Sequence, residues 1–167
     1  MADITHGTWI KDGKPIDAVY QDGKQVYGRN LVTGTSNELK TITASGWGNS
    51  PTSKTSGEYG AGRYYASAYI ENTTPGEMAL FVGIYVGGKF LHNLYPESIP
   101  AGQSGIISFT FDIPEGQVIG SAFVGFTRPQ TESYTYKYKE MMIKRAPSPW
   151  TPAPEDRKST RLNSSHL

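Results

Sequence analysis

The chain contains no cysteine, which removes disulfides, thiolate metal sites and cysteine nucleophiles together and leaves non-covalent packing to supply stability. No stretch approaches the roughly 18 consecutive apolar residues of a membrane-spanning helix. The opening Met1-Ala-Asp-Ile-Thr-His6 lacks the basic start and apolar run of a secretory signal, so the expectation is a product made in the cytoplasm without a signal peptide. Charge of one sign is also scarce. The formal net charge is +1, and Arg157, Lys158 and Arg161 of the 16 Lys and Arg residues fall in a terminal segment set apart below. That balance gives no long-range field to gather nucleic acid or an anionic membrane. Catalytic signatures are missing too: there is no Gly-x-Ser-x-Gly elbow, no His-Glu-x-x-His and no phosphate-cradling glycine loop. Asp17, Glu38, Glu58, Glu71, Asp112 and Glu140 are scattered, and none forms an evident pair for hydrolysis. His6 and His92 stand alone and read as ordinary surface or turn residues. No catalytic residue and no metal ligand set is expected.

What the chain does have is 19 glycines, 11 prolines and 11 tyrosines, with alanine and leucine scarce, a composition of many short strands joined by turns. The expected fold class is all-β. Asp12-Gly13 and Asp22-Gly23 suit the positive φ angles of tight hairpins and are flanked by β-prone residues at 8–10, 16–20 and 25–27. They predict an N-terminal three-stranded β-meander, too small to hold a core unless one face packs on something else. One or two strands are expected near 40–44, a long loop over 46–62, and further strands at 63–71, 78–86, 89–93, 105–113, 118–127 and 134–144. Gly87-Gly88, Pro75-Gly76 and Pro114-Glu115-Gly116 mark turns between them. In Ile106-Ile-Ser-Phe-Thr-Phe-Asp-Ile113 the residues 107, 109, 111 and 113 alternate with Ser108, Thr110 and Asp112, so one face is buried and one is wet. The tyrosines at 134, 136 and 138 alternate likewise, and the phase changes near Glu140, as a bulge would make it do. About eight such strands predict two packed sheets in a jelly-roll β-sandwich.

Both ends of the chain carry a resemblance. Tyr138-Lys-Glu-Met-Met-Ile-Lys144 leads into the proline-rich exit Pro147-Ser-Pro-Trp-Thr-Pro-Ala-Pro-Glu-Asp156, which resembles the end of carbohydrate-binding β-sandwich modules in tail and baseplate proteins of phages of Gram-positive hosts. The segment from His6 to Leu31, with its two Asp-Gly hairpins, is similar to openings of phage and prophage tail proteins. The resemblance implies a docking segment over residues 1–29 that engages other tail proteins, a carbohydrate-binding-module-like sandwich over 30–156, and a place in the virion. It implies recognition of cell-surface glycan, and a homotrimer is compatible with a tail device. Sandwiches of this kind often hold a structural calcium, for which Asp112, Glu140 and Glu155 are the nearest carboxylates, although no Asp-rich loop is visible. Two other readings stay open: a purely structural tail or collar decoration domain, and the accessory binding domain of a longer, truncated tail hydrolase. From Arg157 onward, Arg-Lys-Ser-Thr-Arg-Leu-Asn-Ser-Ser-His166 resembles a translated sequencing adapter. Residues 157–167 are therefore read as an artefactual tail, and the gene is expected to continue past Asp156.

A sugar ring offers an apolar face edged by hydroxyls, so a site for it needs a flat aromatic beside amide, carboxylate or guanidinium groups. Trp47, in the glycine-flanked Ser45-Gly-Trp-Gly-Asn-Ser50, and Asn49 beside it supply these types; so do Glu58, Tyr59 and Arg63 in Gly57-Glu-Tyr-Gly-Ala-Gly-Arg63. Tyr95 and Arg128 sit in further loops, where ligand groups are commonly mounted. Trp47 and Tyr59 also have a bland reading, in which the indole plugs one end of the sandwich and the phenol covers a loop. Trp9 and Trp150 are expected to pack against the sandwich or a neighbouring subunit rather than a ligand.

Overall fold

In this computed structural model residues 29–48, 53–145 and 147–157 are described, together with the backbone of five strands before residue 29; the side chains at 53, 54, 56–58, 155 and 157 are not. The early strands are β1 (Asp3–Thr5), β2 (Thr8–Lys11), β3 (Lys14–Pro15), β4 (Ala18–Gln21) and β5 (Lys24–Gly28). Lys11 pairs with Lys14 and Gln21 with Lys24, so β2-β3 and β4-β5 are antiparallel pairs, while the Asp-Gly turns expected between them lie outside the described residues. The three-stranded meander is β1-β2-β3, and β4-β5 is a separate hairpin; a single meander over 8–27 is not what forms. Pro15 gives the physical reason, because a residue without an N–H cannot carry a ladder onward, and β3 ends there after two residues.

Eight strands follow: β6 (Lys40–Gly46), β7 (Ser53–Tyr59), β8 (Gly62–Glu71), β9 (Met78–Val86), β10 (Lys89–Leu94), β11 (Ser104–Ile113), β12 (Val118–Phe126) and β13 (Gln130–Lys144). They form two antiparallel sheets, β10-β9-β12-β7 and β11-β8-β13-β6. Counted from β6 as the first strand, the orders are 5-4-7-2 and 6-3-8-1, the interleaved double Greek key of a jelly roll. The segment 46–62 is not one long loop, since β7 lies within it and pairs with β12. Ser-Lys-Thr-Ser-Gly-Glu-Tyr lacks the apolar alternation that marks a strand, and β7 lies at the edge of its sheet.

Packing follows the alternation. Ile107, Phe111 and Ile113 of β11 are buried while Ser108, Thr110 and Asp112 are exposed. Strand β9 reads as a continuous apolar run because it is covered on both faces: Met78, Leu80, Val82 and Ile84 enter the core between the sheets, while Ala79, Phe81 and Gly83 are buried on the outer side. At Glu140 the φ angle is 55° and the pairing of β13 with β8 slips between Lys139 and Met142. This is the bulge that the phase change near Glu140 predicts, and it lets Tyr136, Tyr138, Met141 and Ile143 all reach the core.

The two ends of the sandwich are tied together by Asn30, which is fully buried. Its amide nitrogen donates to the carbonyls of Thr151 (2.8 Å) and Met141 (3.4 Å), and its oxygen accepts from the backbone of Val32 (3.0 Å) and Ile143 (3.2 Å). Trp150 lies in the same closure and donates its indole N–H to Met141 O at 3.3 Å, so it packs on the sandwich as expected. Asp156 accepts the backbone N–H of Gly34.

Candidate functional site

Two of the residues singled out in the sequence, Trp47 and Tyr95, meet at one cleft of about 410 Å³. Trp47 follows β6 in a turn closed by Gly48 N–H to Ser45 O at 3.0 Å, with positive φ at Gly46 (61°) and Gly48 (81°). A Cβ at Gly48 would stand 3.0 Å from the Phe126 ring and 3.2 Å from Gly125 Cα, so the backbone there approaches the end of β12 closely. Phe126 N–H donates to Trp47 O at 3.0 Å. The turn is therefore pinned by its main chain, and the indole is left 58% exposed.

Tyr95 comes from the other sheet, directly after its edge strand β10, and is 47% exposed. Its ring is tilted at 47° over Phe81, with centroids 4.6 Å apart, and Phe81 stacks on Phe123 at 5.0 Å. The segment after it is anchored by Met78 and Ile99, which exchange two backbone hydrogen bonds, and by buried Asn72, whose amide donates to the carbonyls of Gly76, Ile99 and Pro100. Rigid mounting of this kind lowers the entropy lost when a ligand is held.

Asn93 and Thr127 complete the lining with Phe126. The side-chain oxygen of Asn93 is buried and has no hydrogen-bond partner, a state that costs free energy in the empty protein and that a hydroxyl donor can relieve after a small rotation of the amide. Among the described residues no carboxylate, lysine or arginine lines the cleft. Its chemistry is thus aromatic faces around an amide and a hydroxyl, suited to neutral, hydroxylated, ring-shaped molecules.

The other candidates lie elsewhere. Tyr59 is half-buried against the core, where it accepts a hydrogen bond from Arg29, whose guanidinium sits 5.8 Å from the ring centroid. Arg63 is on the other sheet, in a two-pronged pair with Asp112 at 3.0 and 3.2 Å. Hydrogen bonding to that guanidinium lowers the Asp112 pKa below its usual value. Arg128 is exposed and follows Thr127 directly without lining the cleft. Asn49 and the side chains of Glu58 and Glu155 fall outside the described residues. Asp112 is engaged by Arg63 and Glu140 sits in the bulge; among the described residues no three His, Cys, Asp or Glu side chains gather as a metal site.

Sequence reasoning missed Phe81, Asn93, Phe123, Phe126 and Thr127. Phe81 and Phe123 sit inside apolar runs and look like core. Parity in β9 was the available signal, since Phe81 shares its side of the strand with Gly83, opposite Leu80, Val82 and Ile84.

No protein-family model matches the sequence, and none of the curated proteins does. Among solved structures the chain is similar to a Family 16 Carbohydrate Binding Module-2 (TM-score 0.40, 8% identity, 65% of this chain and 72% of that one). It is also similar to the tripod from the baseplate of bacteriophage Tuc2009 (0.47, 15%, 78% and 61%). A third is the CBM22-1 and GH10 modules of the Clostridium thermocellum endo-1,4-beta-D-xylanase 10B, complexed with xylohexaose (0.43, 12%, 75% and 30%). The structural neighbours thus include carbohydrate-binding modules and a phage baseplate protein. All three likenesses are of low identity and low TM-score, so what the cleft binds is a matter of its own chemistry.

Proposed function

We propose that the chain is a carbohydrate-binding protein of a phage tail or baseplate, and that the cleft between Trp47 and Tyr95 attaches the particle to cell-wall polysaccharide of its host. The observation that carries this reading is the pair of exposed rings, delivered from the edge strands β6 and β10 of the two sheets to a cleft that also holds an amide oxygen without a partner. A purely structural spacer has no use for an indole left 58% exposed on a backbone-pinned turn. Binding rather than hydrolysis is favoured by the lining, which offers no carboxylate pair to flank a glycosidic bond. The N-terminal hairpins serve in this reading as the attachment to other tail proteins. A single shallow cleft binds weakly, and adhesion gains from many copies on one particle, as a homotrimer or a ring of trimers would provide.

The test is a whole-cell and glycan-array binding assay with the fluorescently labelled chain. Retention on walls of Gram-positive cells, lost with Trp47→Ala and with prior removal of wall polysaccharide, is the expected result. Retention that survives both treatments would assign adhesion to another surface.

A further inference from the structure

The cleft occupies only one end of a sheet face. On the outer side of β10-β9-β12-β7 the residues beyond Phe81 are Gly83 and then Tyr85 on β9, with Asn93 paired to Gly83 and Phe90 paired to Tyr85 on β10. On β12, Ser121 pairs with Gly83, and the ladder slips between Ile119 and Ser121, which places Gly120 beside Tyr85. A Cβ built at Gly120 would stand 2.6, 2.7 and 3.1 Å from three carbons of the Tyr85 ring. That ring therefore lies flat on the bare backbone of Gly120, supported from below, and its opposite face is turned away from the sheet. Phe90, 57% exposed, meets it edge-on at 77° and 5.8 Å and holds its orientation.

We propose that the outer face of this sheet continues the cleft as a groove for a linear, uncharged polysaccharide, with Tyr85 as a second stacking platform. The proposal rests on reading the cleft as a carbohydrate site. Phe81 and Tyr85 are four residues apart on one strand, about 13 Å, which is more than a single sugar ring spans. Between them lies a waist in which Ser121 Oγ, the Tyr85 ring and Asn93 Oδ1 close over Gly83, and the half-buried Asn93 amide is the group placed to hydrogen-bond a chain crossing it. The absence of any ionised side chain among the cleft-lining residues, and of any from Gly83 to Tyr85 on β9, selects a neutral polymer. An anionic one, such as a polyglycerol-phosphate teichoic acid, would bring charges that meet no cation among the described cleft residues or from Gly83 to Tyr85, the nearest position on the sheet being Lys54 of β7, which pairs with Ser121.

The experiment is calorimetric titration of the full chain with neutral Gram-positive wall polysaccharide, hydrolysed and sized into a short pool of di- and trisaccharides and a long pool of octasaccharides and above. Polyglycerol-phosphate teichoic acid is titrated in parallel. Tighter binding of the long pool is expected, with Tyr85→Ala weakening the long pool by about tenfold and the short pool by less than about twofold. Tyr85→Phe should retain wild-type affinity, and so report the platform rather than the hydroxyl. Gly120→Ala, which lifts the ring, should reproduce Tyr85→Ala with an unchanged far-ultraviolet circular dichroism spectrum. Equal affinity of wild type and Tyr85→Ala for the long pool, with Trp47→Ala still defective, would overturn the groove and leave the cleft standing. Preference for teichoic acid would overturn the neutral ligand, and no binding to any glycan would overturn both.

Discussion

Replacing Trp47 by alanine separates ligand binding from folding more cleanly than any other change in this chain. A tryptophan offers on the order of 200 Å² of surface, and the side chain here is 58% exposed, leaving roughly half of that available. A sugar that stacks on one of the two ring faces then covers roughly 60 Å², which at about 25 cal/mol per Å² amounts to about 1.5 kcal/mol, or about tenfold in affinity. Stability should move little. The turn is held by main-chain bonds, Gly48 to Ser45 and Phe126 to Trp47, which alanine preserves, so the cost of the substitution should stay within about 0.5 kcal/mol. Titration of wall polysaccharide and urea denaturation, run on both proteins, measure the two quantities. A stability loss above about 2 kcal/mol would assign the indole to packing and refute the reasoning, and so would unchanged affinity.

Three further outcomes follow from other parts of the fold. Asn30→Ala removes four hydrogen bonds, three of them buried, and strands backbone groups of Val32 and Ile143, so a loss of about 3 kcal/mol is expected in denaturant melts. Arg63→Ala breaks only an exposed pair with Asp112 and should alter neither glycan affinity nor the thermal midpoint measurably. Lys144 is buried, with its ammonium donating to Ser148 Oγ and Pro149 O, and burial lowers its pKa from 10.5 to about 8. The unfolded chain then holds a proton between pH 8 and 10.5 that the folded one has released. The destabilisation is therefore full below about pH 8 and relieved toward pH 10.5, by about 3 kcal/mol. Lys144→Met should abolish that rise when the two proteins are compared across the same pH series.

Much of the architecture is legible in the residues because strand chemistry is local. Alternation in β11, the glycine pair after Val86 and the phase change at Glu140 each specify what the backbone does within a few residues, and the observed strands follow them closely. The edge strand β7 escaped because its sequence lacks apolar alternation, and the break at Pro15 was read through because β-prone residues follow it. Of the candidate site, glycines on both sides of Trp47 correctly announced an exposed ring. The same logic attached to Tyr59 and Arg63 gave residues engaged with Arg29 and Asp112 instead, since a loop-like composition says nothing of which sheet a side chain serves.

Cysteine-free composition, strand periods and turn residues determined by themselves that this protein is an all-β chain stabilised by packing. Only the tertiary structure decided where a ligand has something to hold. Tyr95 and Trp47 are 48 positions apart in the sequence and become neighbours through the interleaving of two Greek keys. Phe81 and Phe123 line the outer side of their sheet, with Tyr95 over Phe81, rather than the space between the sheets, through the parity of their strands. Both are non-local outcomes, fixed by which strand pairs with which, and strand pairing is settled by the summed burial of the whole sandwich rather than by any one segment.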